Sequence, residues 1–260
     1  MIRFASLGSG SKGNCLLAES GQSRVLLDCG LGPRETARRL ARLDVSPSDI
    51  AGIIVTHEHD DHVGGVFAFA ARHQIPVWIT HGTWRAALET GKGGQDSGVS
   101  VNLVDGRTPF AVGDIQVLPF TVPHDAREPV QYVVSDGAFR LGVLTDIGAS
   151  TPHVEAMLTG CDALVLECNH DLDLLERSSY PKWLKERISG SFGHLDNGQA
   201  ADLLAAIDRS RLKHVICAHL SEQNNSPDLA RNALARAMGC EVSWVGLATQ
   251  QEGFDWRELR

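Results

Sequence analysis

"GIIVTHEHDDHVGG", residues 52–65, runs an apolar strand, Ile53-Ile54-Val55, straight into His57, Glu58, His59, Asp60, Asp61 and His62. Its reading turns on whether the first two histidines sit on a helix or on extended backbone. On a helix, residues two apart point in different directions and could not share an ion. On an extended segment, i and i+2 lie on one side, so His57 and His59 can meet one ion at the end of a strand. Asp61 and His62 follow at the start of an expected helix and can reach a second ion. The pattern is not the helical H-E-x-x-H of zinc proteases, which would need histidine where Asp61 stands.

Further ligands must come from elsewhere, and three residues share a local context, a polar side chain just past an apolar strand. His124 follows Val117–Val122, Asp146 follows Leu141–Leu144, and His219 follows Val215–Ala218. Strand ends along one rim of a sheet are where open α/β architectures gather ligands.

Around this centre the chain divides into strands first and helix–strand alternation later. Strands are expected at Ile2–Leu7, Asn14–Ala18, Arg24–Asp28, Gly52–Thr56, Val77–Ile79, Ser100–Val104, Ile115–Phe120, Val130–Ser135, Phe139–Leu144, Ala163–Glu167 and His214–Ala218. Helical periodicity marks Pro33–Leu43, His62–His73, Thr83–Thr90, Pro152–Leu158, Pro181–Ile188, Gly198–Ile207 and Pro227–Met238. Hairpins followed by alternating helix and strand predict central sheets with helices outside.

The opening "SLGSGSKGNCLL", Ser6–Leu17, offers a competing reading. Gly8, Gly10 and Gly13 fit G-x-G-x-x-G, and Asp28 lies twenty residues after Gly8. A dinucleotide fingerprint needs a helix to open at the third glycine, so that its N–H groups meet the pyrophosphate. Here a short strand follows instead, so no dinucleotide cofactor is expected.

Composition excludes several classes. No run of some 18 apolar residues exists to span a membrane, no signal-peptide layout opens the chain, and a cytoplasmic location is expected. The net charge of −8 argues against a protein whose whole surface grips nucleic acid, but not against a local basic patch. Four basic residues, Arg177, Lys182, Lys185 and Arg187, form one such candidate; a solvated helix face accounts for them equally well. The six cysteines form no C-x-x-C pair and read as reduced, mostly buried thiols. His73, His81, His153 and His214 read as surface or core residues, and the role of His170 is open.

The order Asp28, His57-x-His59-x-Asp61-His62, His124, Asp146, His219 resembles the five motifs of metallo-β-lactamase-fold hydrolases, across nearly the whole chain. That resemblance implies an αββα sandwich, two mixed sheets face to face with helices outside, as a single domain over residues 1–260. It implies two divalent ions, zinc first and manganese or iron next. His57, His59 and His124 would hold one; Asp61, His62 and His219 the other. Asp146 would bridge them together with a hydroxide, and Asp28 would support the site without ligating.

The bridging aspartate points toward glyoxalase II-type hydrolases and nucleases. The separation of 73 positions from Asp146 to His219 leaves no room for the inserted domain of β-CASP ribonucleases. "LGSGSKGN", "LECNHD" (166–171), "YPKWLKERI" (180–188), "GHLDNGQAA" (193–201) and "AHLSEQNNSP" (218–227) resemble the YycJ/WalJ-like branch, which implies 5′-to-3′ exonuclease action on DNA. One departure is Asp196, where that branch usually has serine. The alternative is a small-molecule thioester, ester or lactone hydrolase of the glyoxalase II type.

Ribonuclease Z is similar in a late trio, which implies that His194, polarised by Glu167, protonates the leaving oxygen. The competing reading makes this a capping region, with Asn197 capping the next helix and His194 merely nearby. In the glycine loop, Ser9, Ser11, Lys12 and Asn14 are candidates to hold a substrate phosphate; a plain hairpin turn is the alternative.

Overall fold

The computed structural model describes residues 1–94 and 97–260. Its first sheet takes β1 (Ile2–Gly8), β2 (Cys15–Ser20), β3 (Ser23–Leu27), β4 (Gly52–Ile54), β5 (Val77–Thr80) and β6 (Val101–Val104). The second takes β7 (Phe110–Val112), β8 (Ile115–Thr121), β9 (Val130–Ser135), β10 (Arg140–Leu144), β11 (Ala163–Glu167), β12 (His214–Ala218) and β13 (Gly246–Leu247). The last strand, β14 (Phe254–Leu259), returns to the first sheet and pairs antiparallel with β1. Among the described residues each sheet has seven strands, in the orders β14-β1-β2-β3-β4-β5-β6 and β13-β12-β11-β10-β9-β8-β7.

Alternating side chains explain the layering. In β3, Val25 and Leu27 face the other sheet and Leu26 faces outward; in β11, Ala163 and Val165 face inward and Leu164 and Leu166 outward. Both faces are therefore apolar, which is why these strands read as continuous hydrophobic runs and not as alternating ones. The inward sets of both sheets merge into one core around Phe4, Ile54 and Tyr132. Outside the first sheet lie α1 (Pro33–Arg42), α2 (Asp60–Val63), α3 (Val66–His73) and α4 (His81–Glu89), with Leu40, Phe69 and Ala87 buried against it. Outside the second lie α5 (Pro152–Leu158), α8 (Asn197–Ala206) and α9 (Pro227–Met238), which bury Leu158, Leu203 and Leu234 there, while α6 (Leu172–Arg177) and α7 (Lys182–Ile188) follow β11 without joining that core. The result is the expected αββα sandwich.

Several differences from the sequence reading have local causes. The expected helix His62–His73 is two helices, broken at Gly64-Gly65, because the chain there lies against its neighbour. A Cβ on Gly65 would stand 1.9 Å from the Leu31 carbonyl oxygen, and one on Gly30 1.9 Å from that of Asp61. These close approaches press the loop after β3 against the histidine-rich segment. Asp196, and not Asn197, caps α8: its Oδ1 accepts from the amides of Gly198 (2.6 Å) and Gln199 (2.9 Å), while the Gln199 side chain answers the Asp196 amide. The departure from serine thus keeps a capping residue in place. Strands β7, β13 and β14 and helix α6 escaped the sequence reading. Cys15, Cys29, Cys161, Cys168 and Cys217 are buried free thiols and Cys240 is partly exposed. Among the described residues, no helix is long and apolar enough to cross a membrane.

Candidate metal centre

Strands β3 and β4 run parallel, as do β10, β11 and β12, so their C-terminal ends share a rim. The loops leaving those ends carry Asp28, His57, Asp146 and His219, while Glu167 closes β11. Asp28, Asp146 and His219 all have left-handed backbone, with φ of 60°, 56° and 54°. Such a conformation costs an L-residue roughly 1–2 kcal/mol, and a fixed amide partner holds each. The Asp28 amide donates to the Ile54 carbonyl (2.8 Å), that of Asp146 to Glu167 Oε1 (3.1 Å), and that of His219 to Ser9 Oγ (2.8 Å). Abrupt turns at strand ends aim these side chains into the space between the sheets.

Among the described residues three donor groups result, the third, Asp146, Glu167, His194 and His219, overlapping the second. In the first, His57, His59 and His124 each bring a ring nitrogen within 4.8 Å of the others. His59 Nδ1 lies 3.1 Å from His57 Nε2 and 3.2 Å from His124 Nε2. The far nitrogens of His57 and His124 are engaged elsewhere. His57 Nδ1 is 2.9 Å from Thr56 Oγ1, whose own hydroxyl donates to Asp28 Oδ2, and His124 Nδ1 is 3.1 Å from the Gly193 carbonyl. Burial holds His57 well below the ordinary histidine range, helped by the charge on His62, and burial lowers His124 as well. At His57 and His124, neutral rings that donate outward leave their inward nitrogens as bare lone pairs facing His59 Nδ1. Tetrahedral zinc with ordinary Zn–N bonds spaces its ligands about 3.3 Å apart, close to the separations found.

The second cluster joins Asp61, His62, Asp146 and His219. His62 Nε2 lies 2.7 Å from Asp146 Oδ2 and 3.4 Å from Asp61 Oδ2, and His219 Nε2 lies 3.2 Å from Asp61 Oδ2. Asp146 Oδ2 is buried yet receives no aligned N–H, so it is an acceptor without a donor. The other oxygen, Oδ1, stands 3.9 Å from His124 Nε2, so one carboxylate faces both clusters. Burial opposes charge on Asp61 and Asp146, but the neighbouring imidazoles hold both carboxyls well below the usual range. Burial likewise opposes protonation of His62 and His219, yet Asp146 and the carboxylates around it push His62 well above its ordinary value and His219 up to about 10. The carboxylates thus favour positive charge beside them. The donor chemistry fits divalent cations at both clusters.

Supporting contacts surround these donors. Asp28 accepts from the Thr56 amide (2.8 Å) and faces His62 Nδ1 (2.8 Å). Glu167 is fully buried; it takes the amides of Asp146, Ile147 and Leu195, and its Oε1 lies 2.9 Å from the Nδ1 atoms of both His194 and His219. Burial resists its charge, but these imidazoles hold its carboxyl at about 2. His194 has a side chain 21 % exposed and lines a cleft of about 470 Å³ with His59, Asp61, Asp146 and His219. Asp28→Asn should weaken metal binding about 10–100-fold, the range for partners that orient a ligand. Zinc titration against a competing chelator would read the loss.

The glycine loop divides. Ser9 and Asn14 are buried: Ser9 holds the His219 amide, and the Asn14 side chain lies 3.2 Å from Asp61 Oδ2 and 3.0 Å from His62 Nε2. Ser11 lines the cleft. Lys12 points away from it, into an ion pair with Glu222 (2.6 Å) beside a neighbouring pocket. Thr56, Asn14 as a partner of Asp61, and the Gly193 carbonyl were missed as functional groups. Thr56 alone carried a hint, lying between the strand and His57.

Residues 23–219 match the family described as the beta-lactamase superfamily domain. The chain is 34 % identical over 248 residues to the exodeoxyribonuclease YycJ of Bacillus anthracis, covering 95 % of this chain and 93 % of that one. It is 33 % identical over 244 residues to the exodeoxyribonuclease WalJ of Streptococcus pneumoniae, covering 91 % and 89 %. Among solved structures it is similar to the metallo-beta-lactamase fold protein YhfI of Bacillus subtilis, with a TM-score of 0.74 and 17 % identity over 99 % of this chain and 100 % of that one.

Proposed function

The chain belongs to the beta-lactamase superfamily, in its YycJ/WalJ branch of metal-dependent hydrolases, and from that premise we propose that it is a dinuclear phosphodiesterase that digests DNA from the 5′ end. The observation that carries this reading is the pair of donor clusters meeting at Asp146. Zinc is the first candidate and manganese or iron the next, since imidazole and carboxylate donors accept all three.

On this reading His57, His59 and His124 hold one cation, Asp61, His62 and His219 hold a second, and Asp146 serves both. When bound, such a pair acidifies water near neutral pH and offsets charge developing on a phosphodiester. The rest falls to the protein. Asp28, Thr56 and Gly193 fix the proton on the outer nitrogen of their imidazoles and so keep the inner nitrogens bare. Asn14 steadies Asp61, and Ser9 and Glu167 steady His219. Glu167 also orients His194 at the cleft, where the ring delivers a proton to the departing 3′-oxygen. Ser11, on the rim, is the member of the glycine loop placed to meet a phosphate. For Lys12 to do so, it must leave Glu222.

Metal-loaded protein should release mononucleotides from 5′-phosphorylated duplex DNA, beginning at the 5′ end, and a chelator should stop it. Hydrolysis of thioesters or lactones with DNA left intact would sink the proposal and favour the glyoxalase II-type alternative.

A further inference from the structure

One segment of the cleft wall is built unlike the rest of the surface. Helix α7 buries none of its residues. Yet Tyr180, just before it, and Arg187 and Ile188, at its end, line the cleft. Among the described residues, Trp183 and Phe192 are the most exposed large apolar side chains, at 64 % and 60 %, and both lie within this one stretch. Trp183 precedes Arg187 by four positions, so the two share a face of α7. Phe192 neighbours the first donor cluster through its backbone: its carbonyl accepts from the Asp125 amide (3.0 Å), and the next carbonyl, of Gly193, meets His124. The Gly193 and His194 amides are tied to Gly190 and Ile188 (both 2.8 Å). The main chain under Phe192 is therefore pinned while its ring stands in solvent. Residues 177–192 also carry four basic side chains against one acidic, Glu186, in a chain of net charge −8. Arg187 holds Asp125 through Nε (2.6 Å), and a guanidinium has four further N–H groups to offer.

We propose that Trp183 and Phe192 form a stacking platform for the unpaired bases of a DNA strand entering the cleft, with Arg187 meeting its phosphates. Exposed rings on a locally basic segment beside the cleft suit a single strand of any sequence, because every base presents a flat π-face. This rests on the phosphodiesterase reading above and adds how the strand is held. It does not involve these side chains in the chemistry.

The test uses metal-loaded wild-type protein and the variants Trp183→Ala, Phe192→Ala and the double variant. Three substrates are needed: a 5′-phosphorylated single-stranded oligonucleotide, the same strand with abasic sites at its first nucleotides, and the p-nitrophenyl ester of thymidine 5′-monophosphate. Each alanine variant should raise KM for the normal oligonucleotide about 5–150-fold, the range for one lost base stack. Trp183→Phe should restore it. The small diester should be turned over equally by all, and the abasic strand should barely distinguish wild type from variants. An unchanged KM on the normal strand, or an equal rise on the abasic one, would overturn the platform while leaving the nuclease reading intact. Wild-type protein that hydrolyses the small diester but no oligonucleotide would overturn both.

Discussion

Asp61→Ala protein should fold, keep the first cluster's cation and lose at least about 10³-fold in DNA hydrolysis, beyond the 10²–10³ typical of removing one preorganised electrostatic group. The side chain is 20 % exposed, so its truncation leaves no sealed cavity. The local backbone survives, because the Asn14 backbone amide bonds to the Asp61 carbonyl (2.7 Å), which the truncation leaves in place; of the Asn14 contacts, only that of its side chain to Oδ2 is lost. What disappears is the oxygen that faces both His219 Nε2 and His62 Nε2. The second cluster then keeps two imidazoles and the shared Asp146. Elemental analysis should show bound metal falling from two per chain toward one as turnover collapses. A variant with both metals and near-normal turnover would remove Asp61 from the site.

His194→Ala is the second large effect, and it separates proton delivery from metal binding. General acid catalysis contributes about 10²–10⁴-fold, and the loss should fall on kcat and kcat/KM alike, as for a contact made in the transition state. Metal content should stay unchanged, because Glu167 keeps its bond to His219. A substrate whose leaving group needs no proton, such as a p-nitrophenyl phosphodiester, should be hydrolysed at nearly the wild-type rate. Equal losses on both substrates would instead show that His194 supports the geometry of Asp146, whose Oδ1 lies 3.4 Å from its Nδ1. Near-normal turnover of DNA would rule out the acid role.

Much of this was legible in the sequence because the informative signals are local. Strand-then-histidine spacing singled out His57, His59, Asp61 and His62, and polar residues after apolar runs singled out His124, Asp146 and His219, residues that the structure brings together in the donor clusters. Pro152–Leu158, Ala163–Glu167, His214–Ala218 and Pro227–Met238 have the same bounds in sequence and structure. They are framed by helix-initiating prolines or by buried runs ending at turns. β14 was hidden because Asp255, Arg257 and Glu258 break its apolar pattern; it is half-exposed and gains its register only by pairing with β1. The helix break at Gly64-Gly65 depends on Leu31, more than thirty residues away. The support of the site is non-local throughout: Asn14 meets Asp61 across 47 residues, and Glu167 meets His219 across 52. No spacing rule reports such contacts, nor the left-handed backbone they stabilise at Asp28, Asp146 and His219.

The most direct test is a metal titration of chelator-stripped protein, with bound ion and DNA hydrolysis followed in the same samples. Two equivalents should bind per chain, with hydrolysis rising mainly on the second. Full hydrolysis at one equivalent, or in the stripped protein, would contradict a catalytic centre that works as a pair.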